Sequence, residues 1–506
     1  MPPEPHPSIA PARTLTATRI TILIVSASTP LASVIGTAPL GFAFGGASLP
    51  AMYVASGLLI LLFCIGYTQM SRRINRPGAF FSYITAGLGR TAGVGSAWLA
   101  MLGYTTFLAG CFGIAPYYGS LIIDQQFGIH IPWPLYALFL FVTVGAAAYH
   151  KIDFSAKALT VFVSLELAVL LVLDVAILGR DGLHALPAEV FSPSVALSPG
   201  FGVSLVFAIM SYVGFESAAL YAPETRNPKR AIPRATYAAA VVIAFIYGLT
   251  TWLATGAYGI GKVQPTALRT FGTFFFGLSD RYVGSWLTTA IALLMLVSQW
   301  AVALAILNAT ARYTRALAQE GLLARRLAHS HPTYQSPHVS VVTLLLLSAA
   351  LIGVGWAMGF DPYLDMSSVL FGVGIIGIVA IQAAACLSVI LYFRKDASFH
   401  WWRTLLAPTL GLLGLGASVV LMIDKFSFVS GKNSPWVGAL PWLLVAVTAA
   451  GIAYGLWLRH ARPDDFALLG QGGADDGETI EATAWEDDDT RGVSMSSAPP
   501  PVQPSS

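Results

Sequence analysis

Long apolar runs separated by short polar segments occupy most of the 506-residue chain. A helix needs about 20 apolar residues to cross a bilayer. Runs of that order lie at 20–46, 48–70, 92–123, 133–149, 156–179, 199–221, 236–259, 284–311, 339–359, 366–393, 403–424 and 437–458. The pattern predicts an all-α polytopic membrane protein with twelve transmembrane helices, which we call spans 1 to 12 in chain order.

Two segments depart from a simple apolar run. Span 3 is interrupted by Gly110, Gly113 and Pro116, yet it is compatible with one long tilted helix. Segment 263–282 is aromatic but broken up by polar residues, and this mixture predicts an external helix that is re-entrant or lies on the surface. Since no cleavable leader pattern precedes span 1, we expect this run to remain a membrane span.

The distribution of basic residues predicts the orientation. Cytoplasmic loops carry an excess of Lys and Arg, so the correct count of spans should place most of these residues on one side. With the N-terminus inside, only six of the 28 fall on the outer side: Arg180, Lys262, Arg269, Arg281, Lys425 and Lys432. Twelve spans with both termini in the cytoplasm is therefore the preferred topology.

The composition excludes an ordinary soluble protein. Apolar residues make up 56% of the chain and charged residues 10%, whereas a soluble domain carries about 25% charged residues. The mean hydropathy is +0.69. A net charge of +3 does not suggest nucleic acid as a partner. The three cysteines are scattered through apolar runs, so neither a disulfide framework, a metal site nor another cofactor is expected.

The composition changes abruptly after span 12. Residues 463–506 contain ten of the 25 acidic residues and end in a stretch rich in Ser and Pro. Such a segment cannot bury enough apolar surface to fold by itself. We therefore expect 460–506 to be a disordered cytoplasmic tail, with a regulatory binding segment as the alternative.

Few carboxyl groups remain inside the apolar runs. Glu166 lies in span 5 and Glu216 in span 6, whereas Asp174 is expected near the outer end of span 5, reaching the interface. Ionisable residues within spans are functional candidates, and a poorly solvated carboxyl binds a proton more readily than one in water. Glu166 and Glu216 are thus the candidates for proton coupling. Alternatively, each hydrogen-bonds backbone groups left free by a break in a helix.

Spans 1 and 6 contain helix-breaking residues at corresponding positions. Span 1 carries Pro and Gly between residues 30 and 46, and span 6 carries Gly214 near its centre. Span 6 comes five spans after span 1, an odd number, so the two runs cross in opposite directions, as two inverted five-helix repeats would require. Paired interrupted helices indicate the substrate site of a transporter, and their free backbone groups suit a zwitterion or an amine. The alternative is that these glycines only allow close helix packing.

Three stretches resemble the amino acid–polyamine–organocation permeases, over roughly 20–460. They are Gly214-Phe215-Glu216 with ETRNPKRAIPRATY at 224–237, the basic loop at 312–337, and RPGAFFSY at 76–83. The resemblance implies a LeuT-like fold of five plus five inverted helices with two extra C-terminal helices. It divides the chain into a cytoplasmic segment (1–19), a first repeat (20–198), a second repeat (199–393), spans 11 and 12 (394–459) and the tail (460–506).

The same resemblance implies the candidate site residues. The pocket backbone corresponds to Gly36, Thr37, Ala38 and Gly41 in span 1 and to Tyr212, Val213, Gly214 and Phe215 in span 6. Relatives place a gating aromatic where Met210 stands, and Phe207 or Tyr212 is expected to compensate. Tyr104 is a further candidate, because its ring offers a cation–π face to an ammonium group.

Departures from the family pattern bear on the mechanism. Span 1 lacks the family's usual Gly-Ser-Gly loop for a carboxylate, and Pro39 near its place removes one N–H donor. Where sodium-independent relatives often carry a lysine in span 5, this chain has Glu166. Glu224, Arg226 and Arg230 are candidates for a cytoplasmic gate, although the same basic residues would also serve as the topology anchor that the positive-inside rule demands.

Together these features predict a secondary transporter that imports amino acids or related amines across the cell membrane, coupled to H⁺. Its partners would be a small-molecule substrate and the lipid bilayer. The alternatives are an exchanger of substrate for product, or a membrane sensor without transport. An enzyme is not expected, because no cluster of nucleophile, base or metal ligands is visible in the sequence.

Overall fold

The structure is a computed structural model that describes residues 16–74, 80–150, 156–215, 225–394, 399–429 and 435–470. Within these ranges the regular structure is helical, and no strand is formed. The longer α-helices are α1 (Ala17–Ser28), α2 (Ala38–Gly45), α3 (Leu49–Arg73), α4 (Phe80–Leu88), α5 (Arg90–Phe127), α6 (Trp133–Tyr149), α7 (Ala156–Asp181), α8 (Phe201–Met210), α9 (Pro228–Tyr258), α10 (Ile260–Thr270), α11 (Phe274–Tyr282), α12 (Ser285–Gln319), α13 (His338–Ala357), α14 (Ser368–Phe393), α15 (Ala407–Asp424), α16 (Pro435–Ala461) and α17 (Pro463–Leu468).

Nine helical segments among the described residues are long and apolar enough to cross a membrane. The first of them, Ala17–Arg73, is 57 residues long and contains α1, α2 and α3. Trp133–Tyr149 and Phe201–Met210 are shorter apolar helices. Because lipid offers no partners for backbone groups, apolar segments of this length satisfy their hydrogen bonds internally as helices. The chain is thus a multi-pass membrane protein.

Helix α5 lies at the centre of the molecule and packs against α6, α12, α13, α14 and α16. It runs unbroken for 38 residues with Pro116 inside it, so one long helix covers span 3. Small residues bring α5 and α14 close together: a Cβ added to Gly374 would lie 2.8 Å from the backbone nitrogen of Phe107. This close contact indicates that the glycines of the Gly-x-Gly-x-x-Gly pattern at 372–377 form a face for helix packing.

The aromatic segment 263–282 forms two short helices, α10 and α11, joined at Phe271, which has a φ of 34°. Helix α10 packs on α2 and α9, and α11 packs on α12 and α7. Phe274, Phe275 and Phe276 are buried there. These aromatic side chains thus face the helix bundle. Their burial holds the segment against the bundle although polar residues interrupt it.

Helix α7 exposes one side and buries the other. Leu165, Leu171, Val172, Val175 and Leu178 are exposed, as expected for side chains that face lipid. The expectation that Asp174 reaches the membrane interface is wrong. Asp174 is 2% exposed, because its position on the helix turns it towards α9, where Thr250 donates a hydrogen bond to its carboxylate.

The folded chain continues to Gly470, beyond the expected start of the tail at 460. Helix α17 follows α16, and the carbonyl of Leu469 accepts a hydrogen bond from Arg90 Nε at 3.3 Å. The backbone N–H of Gly470 donates to Glu320 Oε2 at 2.9 Å. Buried Leu469 joins a small apolar cluster with residues of α4, α5 and α12. The remaining tail residues, 471–506, lie outside the described residues.

Candidate functional site

The break in span 1 lies at Thr29. Helix α1 ends at Ser28, Thr29 adopts φ 39° and ψ 80°, and the helix restarts at Pro30. A residue before proline is disfavoured in the α conformation, and proline suits the first position of a helix because it has no N–H to satisfy. A six-residue π-helical segment, Ala32–Thr37, then leads into α2.

Hydroxyl groups from three other spans satisfy the backbone around this break. Tyr247 of α9 donates to the carbonyl of Ser28 at 3.0 Å, and Ser33 Oγ donates to the same carbonyl at 2.9 Å. Two further buried tyrosines hold the π-helical segment: Tyr118 of α5 donates to Ile35 O at 2.9 Å, and Tyr363 before α14 donates to Gly36 O at 2.8 Å. Carbonyl groups freed by irregular helix geometry need such partners at membrane depth.

Span 6 breaks where the sequence predicts. Helix α8 ends at Met210, and residues 211–214 form turns in which Gly214 has a φ of +109°. A Cβ added to Gly214 would lie 2.9 Å from the carbonyl oxygen of Ala27. The turn is also tied to span 2, because Ser211 Oγ lies 3.0 Å from Tyr53 Oη. The two broken helices therefore touch each other directly.

A cavity of about 50 Å³ lies where the two breaks meet. Its walls come from both breaks and from α5, α12 and α14: Ala27, Ser28, Thr29, Ala32, Ser33, Thr37, Phe107, Cys111, Ile114, Met210, Ser211, Val213, Gln299, Val302, Ile306 and Phe371. No charged side chain belongs to this set of described residues. Since pockets for small molecules measure about 300–1,000 Å³, a solute larger than a few waters requires the walls to move apart.

Thr37, Met210 and Val213 are the predicted substrate-binding residues that line this cavity. Gly36 stands behind the wall, where an added Cβ would lie 3.0 Å from Gln299 Nε2. Gly214 forms the adjoining contact between the breaks. The structure thus brings together about half of the predicted pocket backbone.

Ala38 and Gly41 lie in the regular helix α2 rather than in an unwound loop. The break lies earlier in the chain than the Gly36–Gly41 stretch because Thr29-Pro30 interrupts the helix first. Gly41 has a packing role here, since an added Cβ would lie 2.8 Å from Leu49 Cδ1 and 3.3 Å from Phe207 Cβ. Pro39 is in the first turn of α2, a position where its missing N–H is tolerated.

The predicted aromatic residues lie outside the cavity. Tyr104 packs against Tyr313 with ring centroids 6.2 Å apart. Phe207 is buried beside Gly41, and Phe215 packs edge-on against Phe63 at 5.7 Å. The remaining aromatic, Tyr212, donates a hydrogen bond to the carbonyl of Tyr53 at 2.9 Å. The ring that does face the cavity from α5 is Phe107, one turn after Tyr104.

Glu166 lines a second, smaller cavity of about 20 Å³ between spans 1, 5 and 8. Its Oε2 accepts a hydrogen bond from the backbone N–H of Leu31 at 3.3 Å. This N–H belongs to the first turn of the helix that restarts after the break. Ser298 Oγ lies beside the carboxylate without meeting hydrogen-bond geometry. Thr29 lines both cavities, so Glu166 is separated from the main cavity by the break itself.

The remaining predicted residues follow the break of span 6 in the chain. Glu216 and Glu224 lie outside the described residues, so their roles stay predictions. Arg226 and Arg230 are exposed, and neither forms an ion pair with another described residue. Within the described ranges, no three His, Cys, Asp or Glu side chains gather in a way that would hold a metal ion.

Sequence reasoning missed the groups that organise the site. Tyr118, Tyr247 and Tyr363 are fully buried and hold the broken helix, while Gln299 supplies the largest polar side chain of the cavity. In the sequence, the one feature that could have identified these residues is a polar side-chain group within an apolar run. A buried tyrosine usually finds a hydrogen-bond partner, but which carbonyl it meets depends on how the spans pack.

Comparison with known proteins identifies relatives that are transporters. The chain is 23% identical to the methylthioribose transporter of Bacillus subtilis over 68% of its own length and 75% of the relative's. It is 24% identical to the branched-chain amino acid permease BcaP of the same organism, over 62% and 68% of the two chains. The cationic amino acid transporter 5 of Arabidopsis thaliana is 25% identical, over 69% and 60%.

The fold is similar to that of a solved transporter. The crystal structure of a manganese transporter mutant from Eremococcus coleocola aligns with a TM-score of 0.51, covering 89% of this chain and 94% of that one. At 10% sequence identity, this likeness concerns the fold alone. Residues 15–451 match the amino acid permease family, which covers both broken spans and the cavity between them. The chain therefore belongs to the amino acid permease family.

Proposed function

We propose that this chain is a secondary transporter that moves an amino acid or a related amine across the cell membrane by alternating access. The observation that carries the proposal is the cavity between the breaks of spans 1 and 6. Helices interrupted at membrane depth present backbone and side-chain groups to a solute. The small size of the cavity fits a closed arrangement, which opens to one side at a time as the spans move.

The proposal includes the topology on which alternating access depends. We count α1 and α2 as one span and propose twelve crossings, with five-helix repeats at 20–198 and 199–393 and both termini in the cytoplasm. Inverted repeats place the two broken spans in opposite directions beside one another. The contact between Gly214 and Ala27 is consistent with this arrangement.

The groups around the cavity indicate how a substrate would be recognised. An ordinary helix start offers free N–H donors to a carboxylate. Here Pro30 has no N–H, and the N–H of Leu31 already donates to Glu166. The amide of Gln299 is therefore proposed as a side-chain donor to the substrate. The hydroxyl oxygens of Ser33 and Ser211 are proposed as acceptors, because their protons donate to Ser28 O and Phe207 O. Walls without a charged side chain favour a zwitterionic or neutral solute over one with a net charge, because an unpaired charge is costly there.

Proton coupling is proposed through Glu166. As an anion, its carboxylate interacts favourably with the N-terminus of the helix that restarts after the break. Binding of a proton would remove the charge and weaken this contact, which couples protonation to the geometry of span 1. Glu216 remains the second predicted coupling residue. Arg226 and Arg230, with Glu224, are proposed to close the cytoplasmic side.

The function is tested by uptake of labelled solutes into proteoliposomes under imposed pH or sodium gradients. The panel includes neutral, branched-chain and cationic amino acids, amines and methylthioribose; the relatives' names contribute the branched-chain and cationic amino acids and methylthioribose. We expect accumulation of at least one solute with a pH gradient. Failure of every gradient, together with absence of counterflow, would refute transport. Counterflow without gradient-driven accumulation would indicate exchange.

Two pairs of variants test the site. Val302→Trp fills the cavity and should abolish uptake, whereas Leu293→Trp changes an exposed side chain on the same helix and should not. Glu166→Gln should remove the pH dependence of uptake, and the exposed Glu189→Gln serves as its control. A pH profile of Glu166→Gln that matches the wild type would assign Glu166 a structural role at the helix break.

A further inference from the structure

A second carboxyl group lies on the buried face of span 5. Asp174 accepts a hydrogen bond at Oδ2 from Thr250 Oγ1, with 2.8 Å between the oxygens. Its Oδ1 is also buried, and no described residue donates a hydrogen bond to it. Asp174 lies eight residues beyond Glu166, which is about 12 Å along a helix. It is about 10 Å before the last residue of α7, Asp181.

The elements packed against α7 do not supply a counter-ion for Asp174. They are α1, α9, α11, α12 and the turn Gly182–Ala185. Their described titratable or charged side chains, with those of α7 near Asp174, are Arg19, Glu166, Arg180, Asp181, His184, Arg230, Arg234, Tyr237, Tyr247, Tyr258, Asp280, Arg281, Tyr282, Arg312, Tyr313 and Arg315. None of these described side chains forms a hydrogen bond or an ion pair with Asp174.

The charged residues at the outer end of α7 form hydrogen bonds with residues other than Asp174. Tyr282 donates a hydrogen bond to Asp181, and Arg180 donates to the carbonyl of Arg281 at 2.9 Å. Arg19, Arg312 and Arg315 lie at the opposite end of the bundle from Asp174, near the start of α1 and the end of α12. Arg230 and Arg234 are in the first turns of α9, 16 or more residues before Thr250. Asp174 is thus sealed among neutral groups, with one hydroxyl donor for two carboxylate oxygens.

We propose that Asp174 is a second proton-binding site of this transporter, loaded in the conformation described here and unloaded when span 7 moves away from span 5. An anion with one oxygen unpaired at membrane depth is strongly unfavourable, and a bound proton removes that charge. Separation of the two spans would admit water, which stabilises the carboxylate and releases the proton. The coupling role rests on the proposed transport function; the bound proton does not.

Helix α9 links this site to the substrate cavity. Thr250 lies three residues after Tyr247, so the two side chains share one face of α9. Tyr247 donates to the carbonyl of Ser28 at the break of span 1, and Thr250 donates to Asp174. A movement of the break that displaces Tyr247 therefore also displaces Thr250. This face of α9 therefore couples opening of the cavity to release of the proton from Asp174.

Infrared spectroscopy of the purified full-length protein tests the bound proton without any transport substrate. A protonated carboxyl has a carbonyl stretch that is distinct from the bands of carboxylates. We expect the wild type to show this band at neutral pH, and we expect Asp174→Asn to lower its intensity by the contribution of one carboxyl group, since Glu166 is the other proposed proton-binding residue. Asp181→Asn makes the same change at the outer end of the same helix and should leave the band in place. A band that persists unchanged in Asp174→Asn would overturn the proposal.

A second variant keeps the test decisive if Asp174→Asn does not fold. Thr250→Val keeps the carboxyl group but removes the hydroxyl that donates to it. The stretch of a carboxyl that loses a hydrogen bond shifts in frequency, so this variant should shift the same band. An unshifted band would mean that the protonated group is not Asp174, which overturns the proposal.

The coupling role is tested by the number of protons moved per substrate in proteoliposomes. We expect this ratio to fall in Asp174→Asn and to stay at the wild-type value in Asp181→Asn. An unchanged ratio in Asp174→Asn would refute the coupling role. If the wild type transports no solute, the proposed function fails and the coupling role fails with it. Lower intensity of the infrared band in Asp174→Asn would then still establish the bound proton.

Discussion

The contact between the two broken helices depends on a glycine at position 214. Gly214 has a φ of +109°, in a region that residues with a side chain rarely adopt. The position that a Cβ would take lies 2.9 Å from the carbonyl oxygen of Ala27 and 3.1 Å from its carbonyl carbon. Both obstacles are backbone atoms of span 1, which cannot rotate out of the way as a side chain could. Gly214→Ala should therefore separate the two breaks or distort one of them.

The cost of Gly214→Ala can be worked out from two contributions. A residue with a Cβ that is held in a sparsely populated backbone region costs about 1–3 kcal/mol. Overpacking of a well-packed interior costs about 1–3 kcal/mol more. Together they amount to roughly 2–6 kcal/mol, which is a large fraction of the stability of an ordinary domain. Gly248→Ala is the matched control, because its Cβ would make an ordinary contact 3.6 Å from Val54 Cγ2 within a regular helix.

The assay is thermal unfolding of the purified variants in detergent, followed by uptake for those that remain folded. We expect a clearly lower midpoint for Gly214→Ala and an unchanged or slightly higher one for Gly248→Ala, since alanine is favoured over glycine in helices by about 1 kcal/mol. Equal midpoints for the two variants would refute the argument. They would show that the breaks do not rest on each other as closely as described.

Three further perturbations follow from individual contacts. Tyr363→Phe removes the hydroxyl that donates to Gly36 O at 2.8 Å. A buried acceptor without its donor should lower the free energy of unfolding by about 1–3 kcal/mol. An unchanged midpoint of thermal unfolding would show that another group donates to Gly36 O instead. Gly45→Ala places a Cβ 2.7 Å from the backbone nitrogen of Ser204 and should cost about 1–3 kcal/mol, which chemical denaturation measures. No loss of stability would mean that spans 1 and 6 pack less tightly where α2 ends and α8 begins. Leu469→Ala removes a buried side chain that anchors the C-terminal segment. It should speed hydrogen exchange after residue 462 without changing exchange in the rest of the protein. Faster exchange throughout would mean that Leu469 stabilises the whole protein rather than this segment.

Much of the helical architecture could be predicted from the sequence. The run at 133–149 coincides with α6, and the run at 403–424 differs from the observed helical segment by two residues at its start. Such agreement has a physical reason: an apolar segment in lipid must satisfy its own backbone, so length and polarity alone favour a helix. Helix α12 continues to Gln319, beyond the predicted end at 311, because buried residues such as Leu317 extend its packing past the apolar run.

The candidate site was predicted less completely. Gly214 was predicted correctly as the centre of the break in span 6, because the other glycines of this run, Gly200 and Gly202, stand at its start. Span 1 contains several glycines and prolines, and the sequence offered no means to choose among them. The break is at Thr29, where Tyr247 and Ser33 stabilise the freed carbonyl of Ser28. These partners are brought together only by the packing of spans 1 and 7.

The sequence by itself determined that this protein resides in a membrane, that its helices follow the apolar runs, and that two of its spans contain helix-breaking residues. These properties depend on local hydrophobicity and backbone preferences. The tertiary structure alone decided which residue of span 1 forms the break beside the cavity, that Glu166 meets a backbone N–H, and that Asp174 is buried rather than at the interface. The reason is that the environment of a polar group depends on side chains far away in the chain, such as Thr250 for Asp174.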